Sequence, residues 1–346
     1  MTEPQPFIFD VHLDLSMNAM EWNRDLTQPL EKIRICEANQ TDKPDRSMGT
    51  VCLPEMRKGN VGLCVATQIA RYTKQKNPLP GWHSPAQAWA QSQGQLSWYN
   101  EVERQGELTQ ICNLEQLESH LEKWSTGQNK QLPIGYVLSL EGADSIITLQ
   151  HLESAYEKGL RAIGPAHYGP GTYAPGTGES GPLGNGATEL LREMERLNII
   201  LDVTHLSDTS LDQALDTFSG TVWASHCNCR TLVPGERQLN DHQLKRLIER
   251  GGVIGAALDA WMLIPDWQRG LTTPQSSGVK LSHVVNHIDY VCQLAGNSKH
   301  ACIGTDLDGG FGLEQSPGDM ESIADLQKLP SILGKRGYST DDINNV

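Results

Sequence analysis

Imidazole and carboxylate side chains follow several short apolar runs of this sequence. The first run, residues 7–11, leads into His12-Leu13-Asp14 near the N-terminus. In an extended strand, residues i and i+2 point to the same side, so His12 and Asp14 are expected to project together. A neutral imidazole beside a carboxylate is half of a divalent metal site. Comparable residues follow later runs, namely Glu141, His167, His205, His226 and Asp306.

Short apolar runs alternate with longer helical patterns along the 346 residues. After the first strand, the pattern predicts seven more, at residues 61–70, 134–140, 160–166, 199–204, 221–225, 252–258 and 301–305. Helices are predicted at residues 31–37, 81–106, 114–124, 150–158, 187–197, 208–218, 240–250 and 279–294, with one or two more beyond Met320.

Eight strands with intervening helices predict an α/β fold, a (β/α)₈ or TIM barrel. No composition break divides the chain, so residues 1–346 are expected to form a single barrel domain with extra C-terminal helices. An open doubly wound sheet is the alternative. That fold usually has a Gly-rich phosphate turn after its first strand, where this chain has His12 and Asp14.

In a barrel, the strand ends named above form one rim, which is where barrel active sites lie. Buried imidazoles and carboxylates packed together are costly unless a cation neutralises the carboxylates. The mixed nitrogen and oxygen donors suit zinc. If Glu141 bridges two ions, each ion has three protein ligands: His12, Asp14 and Glu141 for one, and Glu141, His205 and His226 for the other.

Each of these residues also has a structural interpretation. A lone histidine at a strand end is more often a hydrogen-bonded structural residue, and the segment around Asp306 could be a turn. His283 and His287 are spaced i, i+4 on a predicted helix, but they lack the adjacent glutamate of a zincin motif, so a structural role is expected. The long Gly-rich segment 169–186 is interpreted as a functional loop whose glycines serve turn geometry.

Composition excludes several classes of partner. A net charge of −14 and a pI of about 5.2 argue against nucleic acid and anionic membranes. No apolar run reaches the roughly 18 residues that span a bilayer, and Met1–Pro6 lacks a basic n-region. A cytoplasmic protein without a membrane anchor is therefore expected, with its eight cysteines reduced.

The sequence resembles the membrane dipeptidase (renal dipeptidase) family of zinc metallopeptidases. The matching segments occur in the family's order and cover nearly the whole chain: FDVHLDL at 9–15, SLEGAD at 139–144, Ala166-His167, LDVTHLS at 201–207, ASHCN at 224–228, RQLND at 237–241 and IGTDLDG at 303–309. The family often has Asn where this chain has Leu13, and an Arg-Asn pair where this chain has Arg237-Gln238. Neither difference removes a predicted ligand.

The resemblance implies a dipeptidase with two Zn²⁺ ions per chain, bridged by Glu141, in which metal-bound hydroxide attacks the peptide carbonyl. It implies that His167 binds the scissile carbonyl, that Arg237 binds the substrate's C-terminal carboxylate, and that Asp306 meets the free amino group and carries the proton to the leaving amine. Small peptides are the expected substrates. A D-residue at the C-terminal position and a homodimer are left open.

Two other functions remain as alternatives. A different binuclear amidohydrolase, such as an N-acyl amino acid hydrolase, would use the same metal ligands but would not need Arg237 in the same way. A non-catalytic barrel that serves as a binding or structural protein is the third interpretation. The presence of all five expected ligands argues against it.

Overall fold

A computed structural model describes residues 5–73, 80–125 and 131–346. Most of the N-terminal segment Met1–Pro6, on which the prediction of no leader depends, lies outside the described residues. The described residues form nine strands: β1 Ile8–Leu13, β2 Val61–Ile69, β3 Leu108–Gln110, β4 Ile134–Glu141, β5 Leu160–Gly164, β6 Ile200–Asp202, β7 Val222–Trp223, β8 Ile254–Ala256 and β9 Ala301–Ile303.

Helices connect these strands and cover the outside of the sheet. The α-helices are α1 Leu15–Met20, α2 Leu30–Glu37, α3 Leu53–Lys58, α4 Pro85–Arg104, α5 Leu114–Ser125, α6 Leu149–Glu157, α7 Ala187–Arg196, α8 Asp208–Thr217, α9 Asp241–Glu249, α10 Ala260–Leu263, α11 Pro274–Ser277, α12 Leu281–Ala295, α13 Leu329–Lys335 and α14 Thr340–Asn345. Short 3₁₀ helices lie at Ala143–Ser145, Leu313–Gln315 and Ile323–Lys328.

The strands form a nearly closed parallel barrel, which confirms the predicted fold class. The sheet order is β7-β6-β5-β4-β2-β1-β9-β8. A parallel bridge between Ala224 and Ile254 joins the two end strands β7 and β8, with Gly255 N donating to Ala224 O at 2.8 Å. β3, which was not predicted, pairs with β4 outside this path. Its three residues, Leu-Thr-Gln, are too few for a periodic pattern to be recognised.

Several barrel strands are shorter than the sequence predicts. The predicted strand 221–225 is regular only at Val222–Trp223, and the predicted strand 252–258 only at Ile254–Ala256. Apolar residues continue past the C-terminal ends, at Ala224 and at Ala257-Leu258, but they lie outside the regular strands. The hydrophobic pattern therefore predicted where the strands lie but not where their ladders end.

Helix α4 illustrates why the predicted helices form. Ser84 accepts a hydrogen bond from Gln87 N and Pro85 occupies the first turn. Its buried residues recur at helical spacing, which places Leu96, Tyr99 and Val102 on one face. Tyr99 stacks on Tyr136 of β4, with ring centroids 5.1 Å apart. The packing of this face fixes the helix against the strand that carries Glu141.

A buried ion cluster around Arg24 holds the irregular segment between α1 and β2 against the barrel. Arg24 Nε lies 2.9 Å from Glu37 Oε1, and Arg24 Nη2 lies 2.9 Å from Asp45 Oδ2. Burial alone would lower the pKa of Arg24, but the carboxylates of Asp308, Glu37 and Asp45 raise it. Asn18 joins the cluster to the end of β1, because its Oδ1 accepts from Arg24 Nη1 at 2.8 Å and its Nδ2 donates to Asp14 O at 3.1 Å.

Replacing Arg24 with methionine is expected to destabilise the fold by about 3–5 kcal/mol, because the variant leaves buried carboxylates without their cation. Urea denaturation followed by circular dichroism measures the effect. Arg196→Met is the matched control, because Arg196 pairs with Glu193 and Glu153 at the surface, where its own side chain is 57% exposed. Equal losses in the two variants would show that the Arg24 cluster is not what secures this segment.

Candidate metal centre and substrate cavity

The barrel brings the predicted site residues to the carboxyl ends of its strands. They lie on one rim, at or after the ends of six strands: His12 on β1, Asp14 just after it, Glu141 at the end of β4, His167 after β5, His205 after β6, His226 after β7 and Asp306 after β9. Arg237 lies in the loop between β7 and α9. These side chains therefore meet in space although they come from distant parts of the sequence.

One compact group of ligand atoms consists of Glu141, His205 and His226. Glu141 Oε1 lies 3.0 Å from His205 Nε2 and 3.2 Å from His226 Nε2. The two histidine nitrogens are themselves 3.1 Å apart. Ligand atoms on one tetrahedral ion are about 3.3 Å apart, given bonds of about 2.0 Å. The three atoms therefore have the spacing of ligands to a single ion.

A second, looser group shares Glu141 and adds residues of the first strand end. His12 Nε2 lies 3.8 Å from Glu141 Oε2 and 3.9 Å from Asp14 Oδ1. The Thr67 hydroxyl donates a short hydrogen bond to Asp14 Oδ1. The two oxygens of Glu141 thus face different groups, Oε1 toward His205 and His226 and Oε2 toward His12. A third overlapping set, His12, His226 and Asp306, also meets the spacing for metal ligation.

Hydroxyl groups orient two of the histidines through hydrogen bonds to their Nδ1 atoms. His205 Nδ1 lies 2.8 Å from Thr177 Oγ1, and His226 Nδ1 lies 2.8 Å from Ser225 Oγ. A hydroxyl that accepts from Nδ1–H leaves the lone pair of Nε2 free for a metal. Thr177 belongs to the Gly-rich segment 169–186, so this loop contributes to the site as well as forming turns. Neither hydroxyl was singled out by the sequence, because isolated Ser and Thr residues carry no spacing signal.

The protonation states of the clustered histidines and carboxylates suit the binding of a cation. Burial lowers the pKa of His12 to about 3 and lowers the pKa values of His205 and His226 well below their usual range, so all three imidazoles are neutral donors. Burial, followed by the charges of Asp14 and Asp306, raises the pKa of Glu141 well above its usual range. Among the described residues, His12 Nε2 is buried without a hydrogen-bond partner. Neutral donors with free lone pairs beside crowded carboxylates are what a divalent metal site requires.

Two of these residues have an uncommon backbone conformation. His205 has φ = 69° and Asp306 has φ = 58°, in the left-handed region that non-glycine residues rarely adopt. Such strain persists where the surrounding structure imposes it, and it concentrates at functional sites. Here it turns each side chain from the strand direction into the rim.

A cavity of about 340 Å³ opens onto this cluster. Its volume lies within the usual range for small-molecule sites. Arg237 lines it and is buried, donating from Nη2 to His226 O at 2.9 Å and from Nη1 to Cys227 Sγ at 3.3 Å. Within the part of the chain that the structure describes, no carboxylate oxygen lies within 4.0 Å of its nitrogens. A buried guanidinium without an ion-pair partner is suited to bind a carboxylate of a ligand.

Other residues line the cavity that sequence reasoning did not identify. They come from loops after several strands and include Trp22, Lys43, Arg71, Tyr168, Asp259, Arg269 and Phe311. Asp259 is buried, and its Oδ2 accepts hydrogen bonds from Trp261 Nε1 at 2.6 Å and Arg269 Nη2 at 3.3 Å. No motif marks these positions, and only the folded loops bring them together.

The predicted structural histidines lie elsewhere in the fold. His287 Nδ1 accepts a hydrogen bond from Cys229 N at 3.1 Å, which ties α12 to the β7–α9 loop. The metal-ligand groups found in the described ranges 5–73, 80–125 and 131–346 include neither His283 nor His287.

The barrel brings histidines and carboxylates together on one rim, in groups with the spacing of metal ligands. Residues 4–346 match the family described as membrane dipeptidase, peptidase family M19. The chain therefore belongs to the membrane dipeptidase family. In the described ranges, no helix is both long enough and apolar enough to span a membrane.

Individual relatives show how far the likeness extends. A dipeptidase, tcpJ, of Claviceps purpurea is 27% identical over 223 residues, which are 61% of this chain and 49% of that protein. An uncharacterised dipeptidase of Schizosaccharomyces pombe is 24% identical, and the match covers 47% of this chain and 37% of the relative. The matched region thus spans about half or less of the length of these two relatives.

Solved structures match almost the whole chain. A metallopeptidase of family M19, dipeptidase AC, superposes with a TM-score of 0.78 at 21% identity, covering 99% of this chain and 96% of that one. A metallopeptidase of Rhodobacter sphaeroides, solved with a phosphinate mimic of the dipeptide L-Ala-D-Ala, gives 0.76 at 19% identity, with the same coverage of both chains. At these identities the likeness establishes the barrel fold.

Proposed function

We propose that this protein is a metallo-dipeptidase that hydrolyses the peptide bond of free dipeptides. The observation that carries the proposal is the position of Glu141. Its two oxygens face two histidine groups, and the same cavity holds the buried Arg237. Family membership and the dipeptidase names of relatives support the same activity.

Two Zn²⁺ ions are proposed for the cluster. His12 and Asp14 would hold one ion, His205 and His226 the other, and Glu141 would bridge them. When bound, such a pair lowers the pKa of an intervening water and stabilises negative charge that develops on a carbonyl oxygen. The protein's contribution is to fix the ligands, which Thr67, Thr177 and Ser225 do through hydrogen bonds to Asp14, His205 and His226.

The remaining site residues would bind the two ends and the centre of the substrate. Arg237 would hold the C-terminal carboxylate with its planar guanidinium. Asp306, on the same rim, would bind the free amino group and then carry a proton to the leaving amine. Burial lowers the pKa of His167 well below its usual range, so its neutral imidazole can donate one hydrogen bond to the scissile carbonyl.

The opposite charges of Arg237 and Asp306 favour dipeptides over N-acyl amino acids as substrates. Arg237 and Asp306, which line the same cavity, match the two charges of a small zwitterion, whereas an N-acyl amino acid offers no amino group to Asp306. Because the Rhodobacter sphaeroides protein was solved with a mimic of L-Ala-D-Ala, we include D-residues at the second position among the proposed substrates. The homodimer, the cytoplasmic location and the single domain over residues 1–346 stay predictions.

A panel of small substrates tests this function. L-Ala-L-Ala and L-Ala-D-Ala are expected to be hydrolysed, and N-acetyl-L-alanine is expected to be hydrolysed much more slowly because it lacks the amino group. A chelator should abolish turnover, and added zinc should restore it. Turnover that survives chelation would refute the metal-dependent mechanism, whereas a preference for N-acetyl-L-alanine would favour the N-acyl amino acid hydrolase.

A further inference from the structure

Ser225 lies between the two proposed metal-ligand groups. Its Oγ is 2.8 Å from His226 Nδ1 and 3.2 Å from His12 Nδ1. The two imidazole rings lie against each other, with centroids 3.6 Å apart. The Ser225 hydroxyl therefore contacts one histidine of each group. His226 belongs to the group with Glu141 and His205, and His12 belongs to the group with Asp14 and Glu141.

The hydrogen-bond capacity of this hydroxyl suits both contacts. A serine hydroxyl has two acceptor lone pairs and one proton. Two Nδ1–H donors would use both lone pairs, and the remaining proton can be donated to Thr204 Oγ1, 3.4 Å away. In that arrangement His12 and His226 both carry their proton on Nδ1, so Nε2 of each faces the ligand cluster with a free lone pair. The side chain of Ser225 is fully buried, so water cannot take over this role.

The backbone of Ser225 is held as firmly as its side chain. Its N–H donates to Asp202 Oδ1 at 3.1 Å. A Cβ atom at Gly255 or Gly304 would collide with Ser225 O, so glycine at these two positions lets the neighbouring strands approach it. The hydroxyl therefore occupies a fixed position between the two histidines.

We infer that Ser225 is a positioning residue that sets the tautomer of one histidine in each metal group and so contributes to the affinity for both ions. The inference rests on the proposed metal centre. Orienting residues behind metal ligands typically contribute about 10- to 100-fold to metal affinity. Thr177 makes the analogous contact to His205 alone, which supplies an internal comparison.

Zinc titration of the metal-free protein against a chromophoric chelator tests the inference. Ser225→Ala is expected to weaken both ions by about 10- to 100-fold, whereas Thr177→Val should weaken one. Ser145→Ala is the control for removing a buried hydroxyl, because Ser145 Oγ has no hydrogen-bond partner among the described residues, and it should bind zinc as the wild type does. Wild-type affinity for either ion in Ser225→Ala would overturn the inference.

A second readout separates positioning from general damage to the fold. In the metal-free wild type, long-range ¹H–¹⁵N spectra of labelled histidine should show Nδ1–H tautomers for His12 and His226. These are expected to become tautomer mixtures in Ser225→Ala, in a metal-free protein that still unfolds cooperatively on heating but at a lower temperature, because two buried Nδ1–H groups lose their acceptor. If the alanine variant does not fold, Ser225→Cys, with its weak acceptor, should show the same loss of affinity. Unchanged tautomers would refute the inference, while a wild type that binds no zinc would refute the proposed metal centre itself.

Discussion

Replacing Glu141 with glutamine is expected to lower kcat/KM for a dipeptide by about 10³-fold or more. Glu141 offers one oxygen to each ligand group, at 3.0 Å from His205 Nε2 and 3.8 Å from His12 Nε2. Glutamine has one acceptor oxygen and no charge, so one group is left with two protein ligands. Metal assistance is worth several kcal/mol in the transition state, and about 1.4 kcal/mol corresponds to tenfold in rate.

The measurement is steady-state hydrolysis together with the zinc content of the purified variant. We expect the variant to retain fewer than two ions per chain. Glu314→Gln is the matched control, since Glu314 accepts hydrogen bonds from Gly312 N and belongs to no ligand group found in the described ranges. A Glu141→Gln enzyme with two ions and full activity would show that Glu141 is not the bridge.

Replacing Arg237 with methionine is expected to raise KM for free dipeptides by about 10²-fold or more, with a smaller effect on kcat. The buried guanidinium has no carboxylate within 4.0 Å among the described residues, so the substrate would supply its partner. Truncating one member of a buried, hydrogen-bonded charge pair typically costs about 2–5 kcal/mol. Arg237→Lys should recover part of the loss, because lysine keeps the charge but not the planar fork.

A dipeptide amide distinguishes carboxylate binding from structural damage. Arg237 also donates to His226 O at 2.9 Å, so its removal could disturb the ligand strand. If its main role is to bind the carboxylate, wild type and Arg237→Met should hydrolyse the amide at similar rates, while only the wild type should prefer the free acid. An equal loss on both substrates would indicate that Arg237 supports the metal site rather than the substrate.

The sequence predicted the barrel and the residues of its rim for a simple reason. A strand end followed by His or Asp is a local pattern, and a closed barrel brings all such ends together. The structure confirms the barrel and the meeting of His12, Asp14, Glu141, His205 and His226 in space. Their roles as zinc ligands stay predictions.

Other parts of the site depend on contacts that no local pattern encodes. The Ser225 hydroxyl contacts two histidines and the Thr177 hydroxyl contacts one. The Arg24 cluster joins charges from positions as far apart as Glu37 and Asp308. The left-handed conformations of His205 and Asp306, which follow β6 and β9, are not revealed by hydrophobic periodicity either.

Leu13 gives a more limited result. The family resemblance identified it as a departure from asparagine that removes no predicted ligand. It is fully buried and belongs to the hydrophobic core. That environment is consistent with a packing role, and asparagine at this position would need a hydrogen-bond partner there.

We propose that hydrolysis requires both ligand groups that share Glu141. Zinc titrated into the metal-free protein, while L-Ala-D-Ala or L-Ala-L-Ala hydrolysis is followed, tests this requirement. Activity is expected to be absent without metal and to reach its plateau at two equivalents per chain. A plateau at one equivalent, or turnover by the metal-free protein, would contradict it.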